Sequence, residues 1–186
     1  MTDLIRTSRL TILTISICVV FYSVLVLATA SIIAPEKRFG SLIRDKTGAV
    51  IGSRLIAQGF TREEYFWPRP SAVDYNASAA GGSNYSPTNP ELTKVAASII
   101  TRLSIPDDQT VPADLVSMSG SGLDPHISLS AALLQVDRVA RARSQPRERI
   151  EELVRGNARS ESSAIVVGSQ LVNVLELNIG LDALGQ

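Results

Sequence analysis

Cysteine and histidine are almost absent from this sequence. Its 186 residues include one cysteine, Cys18, and one histidine, His126. A single cysteine excludes an internal disulfide, a Cys-x-x-Cys redox pair and a zinc site built from several thiolates. A single histidine excludes a histidine-rich metal site and leaves His126 as the sole histidine available to a catalytic triad. We therefore expect no metal site.

An excess of charge of either sign is also missing. The chain has 18 basic and 18 acidic residues, so its formal net charge is zero. A balanced chain generates no bulk field that would attract nucleic acid or an acidic surface. Nucleic acid is therefore not an expected partner.

A complete phosphate-binding loop is missing as well. Gly40, followed after four residues by Asp45-Lys46-Thr47, comes close to this motif. However, aspartate stands where the motif needs a glycine whose backbone can close around phosphates. An ordinary turn over Asp45-Lys46-Thr47-Gly48 is the better interpretation.

One long uncharged run lies near the N-terminus. Residues 10–34 contain no charged residue or histidine, and as a helix they would be roughly 37 Å long. A bilayer core of about 30 Å needs about 20 apolar residues, so the run predicts one transmembrane helix after an N-terminal tail over residues 1–9. A cleaved signal peptide is the alternative, with Ala28-Thr29-Ala30 as its cleavage site. We favour the uncleaved anchor because the apolar stretch of a signal is typically ~7–15 residues long.

Basic residues on both sides of the run leave its orientation open. Arg6 and Arg9 precede the run, and four basic residues follow it before residue 47. Their count favours a cytoplasmic C-terminal part, although large domains translocate largely regardless of charge. After a juxtamembrane connector over residues 35–46, residues 47–186 suit one soluble domain.

Residues 60–90 show no periodicity. They carry three clusters of Pro, Gly, Asn and Ser, which predict a long loop region. A helix follows it, with Thr88 and Glu91 as a capping box and an end before Pro106. Its expected buried stripe is Leu92, Val95, Ala96, Ile99 and Leu103.

Two further helices are predicted after this one. One strand is predicted before it, and two strands are predicted near the end of the chain. Ser128 or Ser130 caps the first of these helices, and the second is opened by Pro146 and stopped by Gly156. The strand candidates are residues 49–57, 164–167 and 171–177. The expected fold class is α+β. It comprises a single N-terminal transmembrane helix and one compact soluble domain with a small sheet, three to four helices and long loops.

The segment Ser119-Gly120-Ser121-Gly122 could present a serine nucleophile. It is not the Gly-x-Ser-x-Gly elbow, because glycines flank Ser121 directly. His126 is the available histidine base, and a Ser–Lys dyad with Lys46 or Lys94 is a second arrangement. The alternative is a glycine-rich turn that lets two backbones approach closely.

Two other segments are candidates for recognition. Arginines between Arg138 and Arg149 are interleaved with acidic residues, which favours a solvated helix face over a surface for phosphates or an acidic partner. The loop over residues 65–72 combines aromatic residues with arginine on irregular backbone, which is typical of binding hot spots. A cluster that pins this loop to the sheet explains the same residues equally well.

Seven short segments occur in a specific order between Gly52 and Asp182. They are Gly52-Ser53-Arg54-Leu55-Ile56-Ala57-Gln58, Tyr65-Phe66 with Arg69-Pro70-Ser71-Ala72, Gly81-Gly82-Ser83-Asn84, Pro112-Ala113-Asp114-Leu115, Ser119-Gly120-Ser121-Gly122-Leu123-Asp124-Pro125-His126-Ile127-Ser128, Gln135 with Arg138-Val139-Ala140, and Val172-Asn173-Val174-Leu175-Glu176-Leu177-Asn178. Through these segments and its N-terminal anchor, the chain resembles the C subunit of the Kdp-type potassium-transporting ATPase of bacteria and archaea. Trp67-Pro68 departs from the pattern, which has a smaller or polar pair there.

The resemblance implies an accessory, non-catalytic subunit of a high-affinity, ATP-driven potassium uptake pump. Its partners would be a potassium-translocating subunit and a P-type ATPase subunit. The implied role is assembly and activity of the pump, with a catalytic-chaperone function that raises the ATP affinity of the ATPase subunit. No intrinsic cofactor is implied; the resemblance implies ATP in complex with the ATPase subunit, together with some ATP binding by the C subunit itself. The implied location is the cell inner (plasma) membrane, with the soluble domain extracytoplasmic.

We expect partner or ligand contacts, and no catalytic residue, from a set of loop residues. These are Tyr65, Phe66, Arg69, Pro70, Ser71, Gly81, Gly82, Ser83, Asn84, Ser119, Ser121, Asp124 and His126. Two other functions stay open at this point. One is a membrane-anchored serine hydrolase that uses Ser121 or Ser119, and the other is an extracytoplasmic binding module.

Overall fold

The computed structural model describes residues 2–106, 108–160 and 170–185. The chain forms two compact units, Met1–Ile43 and Arg44–Gln186.

One long helix makes up most of the N-terminal unit. It consists of α1 (Thr2–Ile15), a π-helical segment (Ser16–Phe21) and α2 (Tyr22–Ile33), and the short helix α3 (Pro35–Arg38) follows. Within the described residues, the span Thr2–Ile33 is the one helix long and apolar enough to cross a membrane. The helix therefore begins eight residues before the uncharged run.

Several hydroxyl groups of this helix are hydrogen-bonded within it. Thr14 Oγ1 donates to the carbonyl of Leu10 at 2.9 Å, and Thr29 Oγ1 donates to that of Leu25 at 2.7 Å. Returning the hydroxyl to the preceding turn is how Ser and Thr are tolerated in an apolar environment.

A small two-stranded sheet contains β1 (Leu42–Arg44) and β2 (Val50–Ser53). The predicted turn lies between them and is closed by Asp45, whose Oδ1 accepts the backbone N–H groups of Thr47 and Ala49 at 2.8 and 2.9 Å. This is the local bonding that makes Asp a turn former.

β2 is shorter than the strand predicted over residues 49–57. After Ser53 the chain turns, because Ser53 Oγ accepts the N–H of Leu55 at 3.1 Å and the Ser53 carbonyl accepts that of Ile56 at 3.4 Å. A serine hydroxyl that bonds the backbone two residues on competes with the strand ladder.

A second sheet has the strand order β3-β5-β4. Its members are β3 (His126–Ser128), β4 (Arg159–Ser160) and β5 (Gln170–Asn173), and both pairings are antiparallel. Ile127 lies opposite Val172, and both are buried. The strand predicted over residues 164–167 lies outside the described residues.

The strand predicted over residues 171–177 is wrong in its second half. The strand ends at Asn173, and helix α8 (Val174–Leu184) begins immediately. Asn173 Oδ1 accepts the N–H of Glu176 at 3.1 Å and so caps the helix. A short apolar run fits a strand and a buried helix equally well, and here the cap decides.

Helix α4 (Pro90–Leu103) follows the long loop region. Asn89 caps it, not Thr88 as predicted, because Asn89 Oδ1 accepts the N–H of Glu91 at 2.9 Å. Pro90 is then the first helical residue, where its missing N–H costs nothing. Ile99 is the one buried residue among those described in this helix.

Three more helices are α5 (Ala113–Val116), α6 (Leu129–Arg143) and α7 (Arg147–Asn157). Ser128 caps α6 by accepting the N–H of Ala131 at 3.1 Å, and Pro146 precedes α7 as predicted. Gly156 lies inside α7 and does not stop it. A glycine stop needs left-handed backbone, and the glycines with positive φ in the described part are Gly40, Gly48 and Gly122.

α6 contributes more residues to the buried core of the C-terminal unit than any other element. The core cluster comprises Phe66, Leu115, Ile127, Ala131, Ala132, Val136, Val139, Ala140, Ile150, Val154, Val172, Val174, Leu177 and Leu181. The helices α6, α7 and α8 contact strand β5 of the small antiparallel sheet, and this combination of helices and sheet confirms the α+β class. The described residues of this unit hold five helices, one of them a single turn, rather than three to four.

Candidate functional site: two interlocked loops

All thirteen residues expected to contact partners lie on two mostly irregular segments, residues 65–84 and 119–126, which we call the two-loop platform. Backbone and hydroxyl hydrogen bonds fasten the segments together. These are Ser119 N–H to Pro70 O at 3.0 Å, Gly81 N–H to Ser121 O at 2.8 Å, and Ser71 Oγ to Gly122 O at 2.7 Å. Residues far apart in sequence are thereby brought into one structure.

Two glycines permit the close approach of the segments. A Cβ on Gly82 would lie 2.8 Å from the carbonyl oxygen of Gly120, and a Cβ on Gly122 would lie 2.5 Å from Val73 Cγ2. Gly122 also has a φ of +69°, in the left-handed region that favours glycine. The glycine-rich turn that lets two backbones approach is therefore the correct interpretation of these residues.

The serine hydroxyls of this turn are bonded to backbone amides. Ser121 Oγ accepts the N–H of Leu123 at 3.1 Å, and Ser119 Oγ accepts that of Asp124 at 3.4 Å. Ser119 is buried, whereas Ser121 is exposed. Within the described residues, no hydrogen bond joins either hydroxyl to His126, so these residues lack the nucleophile–base pair of a triad.

Arg69, Asp124 and His126 form a polar chain at one end of the platform. Arg69 Nη1 donates to Asp124 Oδ2 at 3.1 Å, and the backbone N–H of His126 donates to Asp124 Oδ1 at 3.0 Å. Burial raises the pKa of the Asp124 carboxyl, but the hydrogen bonds from His126 and Arg69 outweigh burial and hold this pKa below its ordinary value. Asp124 is therefore a structural carboxylate that ties the two segments together.

Two side-chain amides hold the loop at its most buried point. Asn178 accepts the N–H of Phe66 at 2.8 Å and donates to its carbonyl at 3.0 Å, and Gln135 does the same for Trp67 at 2.8 and 3.1 Å. Irregular backbone has no ladder partners, so buried N–H and C=O groups need such substitutes. We call this pair the amide clamps.

The side chains at this point face the interior. Phe66 is fully buried and Trp67 is 4% exposed, so the Trp67-Pro68 departure from the family pattern lies inside the fold. Guanidinium carbons of Arg102 and Arg138 lie 4.3 and 4.0 Å from the Trp67 ring centroid, within cation–π range. Phe66 and Trp67 thus pin the loop.

Tyr65 lies beside α8 and not beside the 119–126 segment. Its hydroxyl donates to Asp182 Oδ2 at 3.1 Å, and Arg143 lies over its ring at 5.0 Å while also donating to Asp182 at 2.7 Å.

Ser83 is half-buried, and Asn84 is exposed with a φ of +52°. Asn84 and Ser121 therefore present the most accessible polar side chains among the expected contact residues.

Sequence reasoning missed the residues that support the platform. Gln135 and Asn178 appear in the segments that carry the family resemblance, but neither was expected to hold the aromatic loop. One feature of the sequence could have indicated this role, namely a side-chain amide within an apolar stretch of helix. Gln135 lies beside Val136, and Asn178 lies beside Leu177. Among the described residues, no group of three or more His, Cys, Asp or Glu side chains is arranged to hold a metal ion.

Comparison with known proteins identifies the chain's relatives. The model of the family described as KdpC, K+-transporting ATPase, c chain, matches residues 4–183. The chain belongs to the KdpC family. It is 46% identical over 182 residues to the KdpC subunit of the potassium-transporting ATPase of Parvibaculum lavamentivorans, covering 98% of this chain and 97% of that one.

Other KdpC relatives are similarly close. Identity is 45% over 172 residues to the subunit from Geobacter metallireducens, with 90% of each chain covered, and 44% over 169 residues to that from Synechocystis, with 87% of each covered. The match extends from the apolar helix into α8, which confirms the resemblance found from the loop segments. It gives no support to a serine hydrolase or a free-standing binding module.

Proposed function

We propose that this KdpC chain is an accessory, non-catalytic subunit of an ATP-driven potassium uptake pump, required for the pump's assembly and activity. The observation that carries the proposal is the family match over nearly the whole chain. The two-loop platform supports the non-catalytic part, because its serines and its half-buried carboxylate are engaged in hydrogen bonds that fix the backbone.

The proposed partners are a potassium-translocating subunit and a P-type ATPase subunit. The exposed edge of the platform, including Asn84 and Ser121, is the proposed contact surface. Phe66 and Ser119 are buried and act by positioning that edge. A rigid loop platform suits recognition, because little conformational freedom remains to be lost on binding.

The proposed location is the cell inner membrane, with the unit Arg44–Gln186 on the extracytoplasmic side. One apolar helix over Thr2–Ile33 supports a single membrane span. The native Cys18 lies within this helix, so replacing it leaves a background for site-directed labelling.

The topology is tested with engineered cysteines in a Cys18→Ser background. Glu152→Cys in α7 places a thiol at an exposed position, and Thr2→Cys places one at the other end of the span. On intact cells, an impermeant maleimide is expected to label Glu152→Cys, and to label Thr2→Cys only after lysis. The reverse pattern would overturn the proposed orientation.

The proposed biochemical role is that of a catalytic chaperone, which raises the ATP affinity of the ATPase subunit. Direct binding of ATP by a phosphate loop in this chain is disfavoured, because the Asp45 carboxylate occupies the amides of Thr47 and Ala49. ATP is therefore proposed to be bound in complex with the ATPase subunit. A lower KM for ATP in the pump with this chain than without it is the expected result, and an equal KM would contradict the chaperone role.

The subunit proposal itself is tested by purification of the tagged full-length chain in a mild detergent. We expect a P-type ATPase chain and a polytopic potassium-translocating chain in the eluate, together with potassium-stimulated ATP hydrolysis. Recovery of the chain alone would overturn the proposal.

A further inference from the structure

A basic cavity of about 370 Å³ lies where the C-terminal ends of α4 and α6 meet the residues before the aromatic loop. Its lining includes three arginines, Arg102, Arg138 and Arg141, and one acidic residue, Glu63. The cavity is separate from the polar chain of Arg69, Asp124 and His126, because none of these three residues lines it.

These three arginines lack carboxylate partners. In residues 2–106, 108–160 and 170–185, none of them forms a salt bridge, whereas Arg143, Arg147 and Arg155 on α6 and α7 each pair with a carboxylate at 2.7 Å. These arginines therefore fall into two groups. One is a solvated face of ion pairs, as expected from the sequence, and the other is a group of guanidinium ions whose charge is not locally neutralised.

Trp67 keeps two of these charges close together. Arg102 and Arg138 both lie about 4 Å from the centre of the same indole ring. Burial, with a smaller contribution from the positive charge of Arg102, lowers the pKa of Arg138 to about 10 against the opposing effect of Glu63. Arg138 Nε is also buried without a hydrogen-bond partner, and an unsatisfied buried donor is unfavourable.

The local charge balance remains positive. Three guanidinium ions face one carboxylate and two helix C-termini, and each C-terminus carries about −0.5 of an elementary charge, so about one positive charge remains. Guanidinium groups match the geometry of oxyanions, because their N–H groups form a planar fork. A bound anion would offset the remaining charge.

We propose that this cavity binds a small oxyanion of the phosphate class. Arg102 and Arg141 are exposed and act as the direct donors. Arg138 is a positioning residue, because its Nη atoms already donate to the Glu63 carbonyl and to Gln135 Oε1. The inference does not depend on the pump function, and the small remaining charge predicts an affinity in the millimolar range.

The test follows the fluorescence of Trp67, the single tryptophan of the chain. The full-length protein in detergent is titrated with inorganic phosphate, and with chloride at equal ionic strength. We expect a saturable change with phosphate alone. Its midpoint should rise about 10-fold in Arg102→Gln and in Arg141→Gln, since each removes one charge-assisted donor.

Arg155→Gln is the matched control, because it removes an arginine that pairs with Glu151 on α7. Its midpoint should equal that of the unchanged chain. Arg141→Gln leaves the stacking on Trp67 intact, so a change in that variant reports binding rather than altered indole contacts. An equal response to phosphate and chloride, or an unchanged midpoint in both cavity variants, would overturn the proposal.

A second arm distinguishes free phosphate from a phosphate ester. Glycerol phosphate replaces inorganic phosphate in the same titration, and thermal unfolding is recorded in parallel, since a ligand of the folded state raises Tm. A tighter midpoint for the ester identifies an ester as the preferred ligand, and a weaker one identifies free phosphate. Either supports the oxyanion site, whereas no rise in Tm with either ligand contradicts it.

Discussion

At the scale of single residues, two amides and one carboxylate hold this KdpC chain's loops in place. Gln135 and Asn178 replace the strand partners that the buried backbone of Phe66 and Trp67 lacks. Asp124 links Arg69 to the start of β3. Because Gln135 and Asn178 are buried, removing either leaves its backbone partners without a replacement for the lost hydrogen bonds.

Asn178→Ala tests the amide clamps. We expect the free energy of unfolding of the Arg44–Gln186 unit to fall by about 3 kcal/mol, since the N–H and C=O of buried Phe66 both lose their partner. Urea unfolding followed by Trp67 fluorescence measures this change. Asn76→Ala, which alters an exposed loop asparagine, should cost less than about 1 kcal/mol. Equal losses in the two variants would contradict the clamp interpretation.

Asp124→Asn tests the polar chain through its pH dependence. The folded-state pKa of Asp124 lies below the ordinary value of 3.8, so the stabilisation from its ionised form is complete above that value. It is lost as pH falls through the folded-state pKa. The unfolding free energy of the asparagine variant should therefore fall less between about pH 5 and about pH 2 than that of the unchanged chain. Exposed Asp108→Asn is the control, and an identical acid loss in Asp124→Asn and the unchanged chain would refute the assignment.

At the scale of elements, the sequence predicts what periodicity and caps encode locally. α6 and α7 follow from their apolar stripes, with Ser128 and Pro146 at their starts. The error over residues 171–177 arose because a short, mostly apolar run gives no helical signal until Asn173 is recognised as a cap. The joining of residues 65–84 to 119–126 was not predictable, since it depends on contacts between distant parts of the chain.

Gly122→Ala tests the joint between the two loops. A methyl group there would meet Val73 and the carbonyl of Gly81, and the residue has left-handed backbone. We expect a loss of about 3 kcal/mol or more in unfolding free energy, from strain and steric overlap together. Gly120→Ala is the matched control, because nothing lies within 4 Å of its added Cβ. A stable Gly122→Ala protein would mean that the loops separate at little cost.

At the scale of the whole molecule, the chain combines one apolar helix with a second unit whose exposed loop edge is the proposed contact surface. Balanced total charge means that long-range attraction contributes little to assembly. Specific contacts, together with confinement to the same membrane, must therefore supply the affinity for the other pump subunits.

Ser121→Arg tests the proposed contact edge. The side chain is exposed, so we expect the unit to fold while the larger, charged residue blocks docking. Recovery of the partner chains and potassium-stimulated ATP hydrolysis should fall at least about 10-fold, as expected for a loss of 1.4 kcal/mol or more. Glu152→Arg on exposed α7 makes a comparable change elsewhere and should leave both unchanged. Normal recovery with Ser121→Arg would exclude this edge as an interface.

The π-helical segment Ser16–Phe21 alters the geometry of the apolar helix. A π turn bonds each amide to the carbonyl five residues back instead of four, so it holds more residues per turn than an α-helix. The side chains of α2 are consequently rotated about the helix axis. They do not point in the directions that an uninterrupted α-helix continuing from α1 would give them. A cross-linking scan along Thr2–Ile33 should show two series of reactive positions, each with a 3.6-residue period, whose phases do not match across Ser16–Phe21.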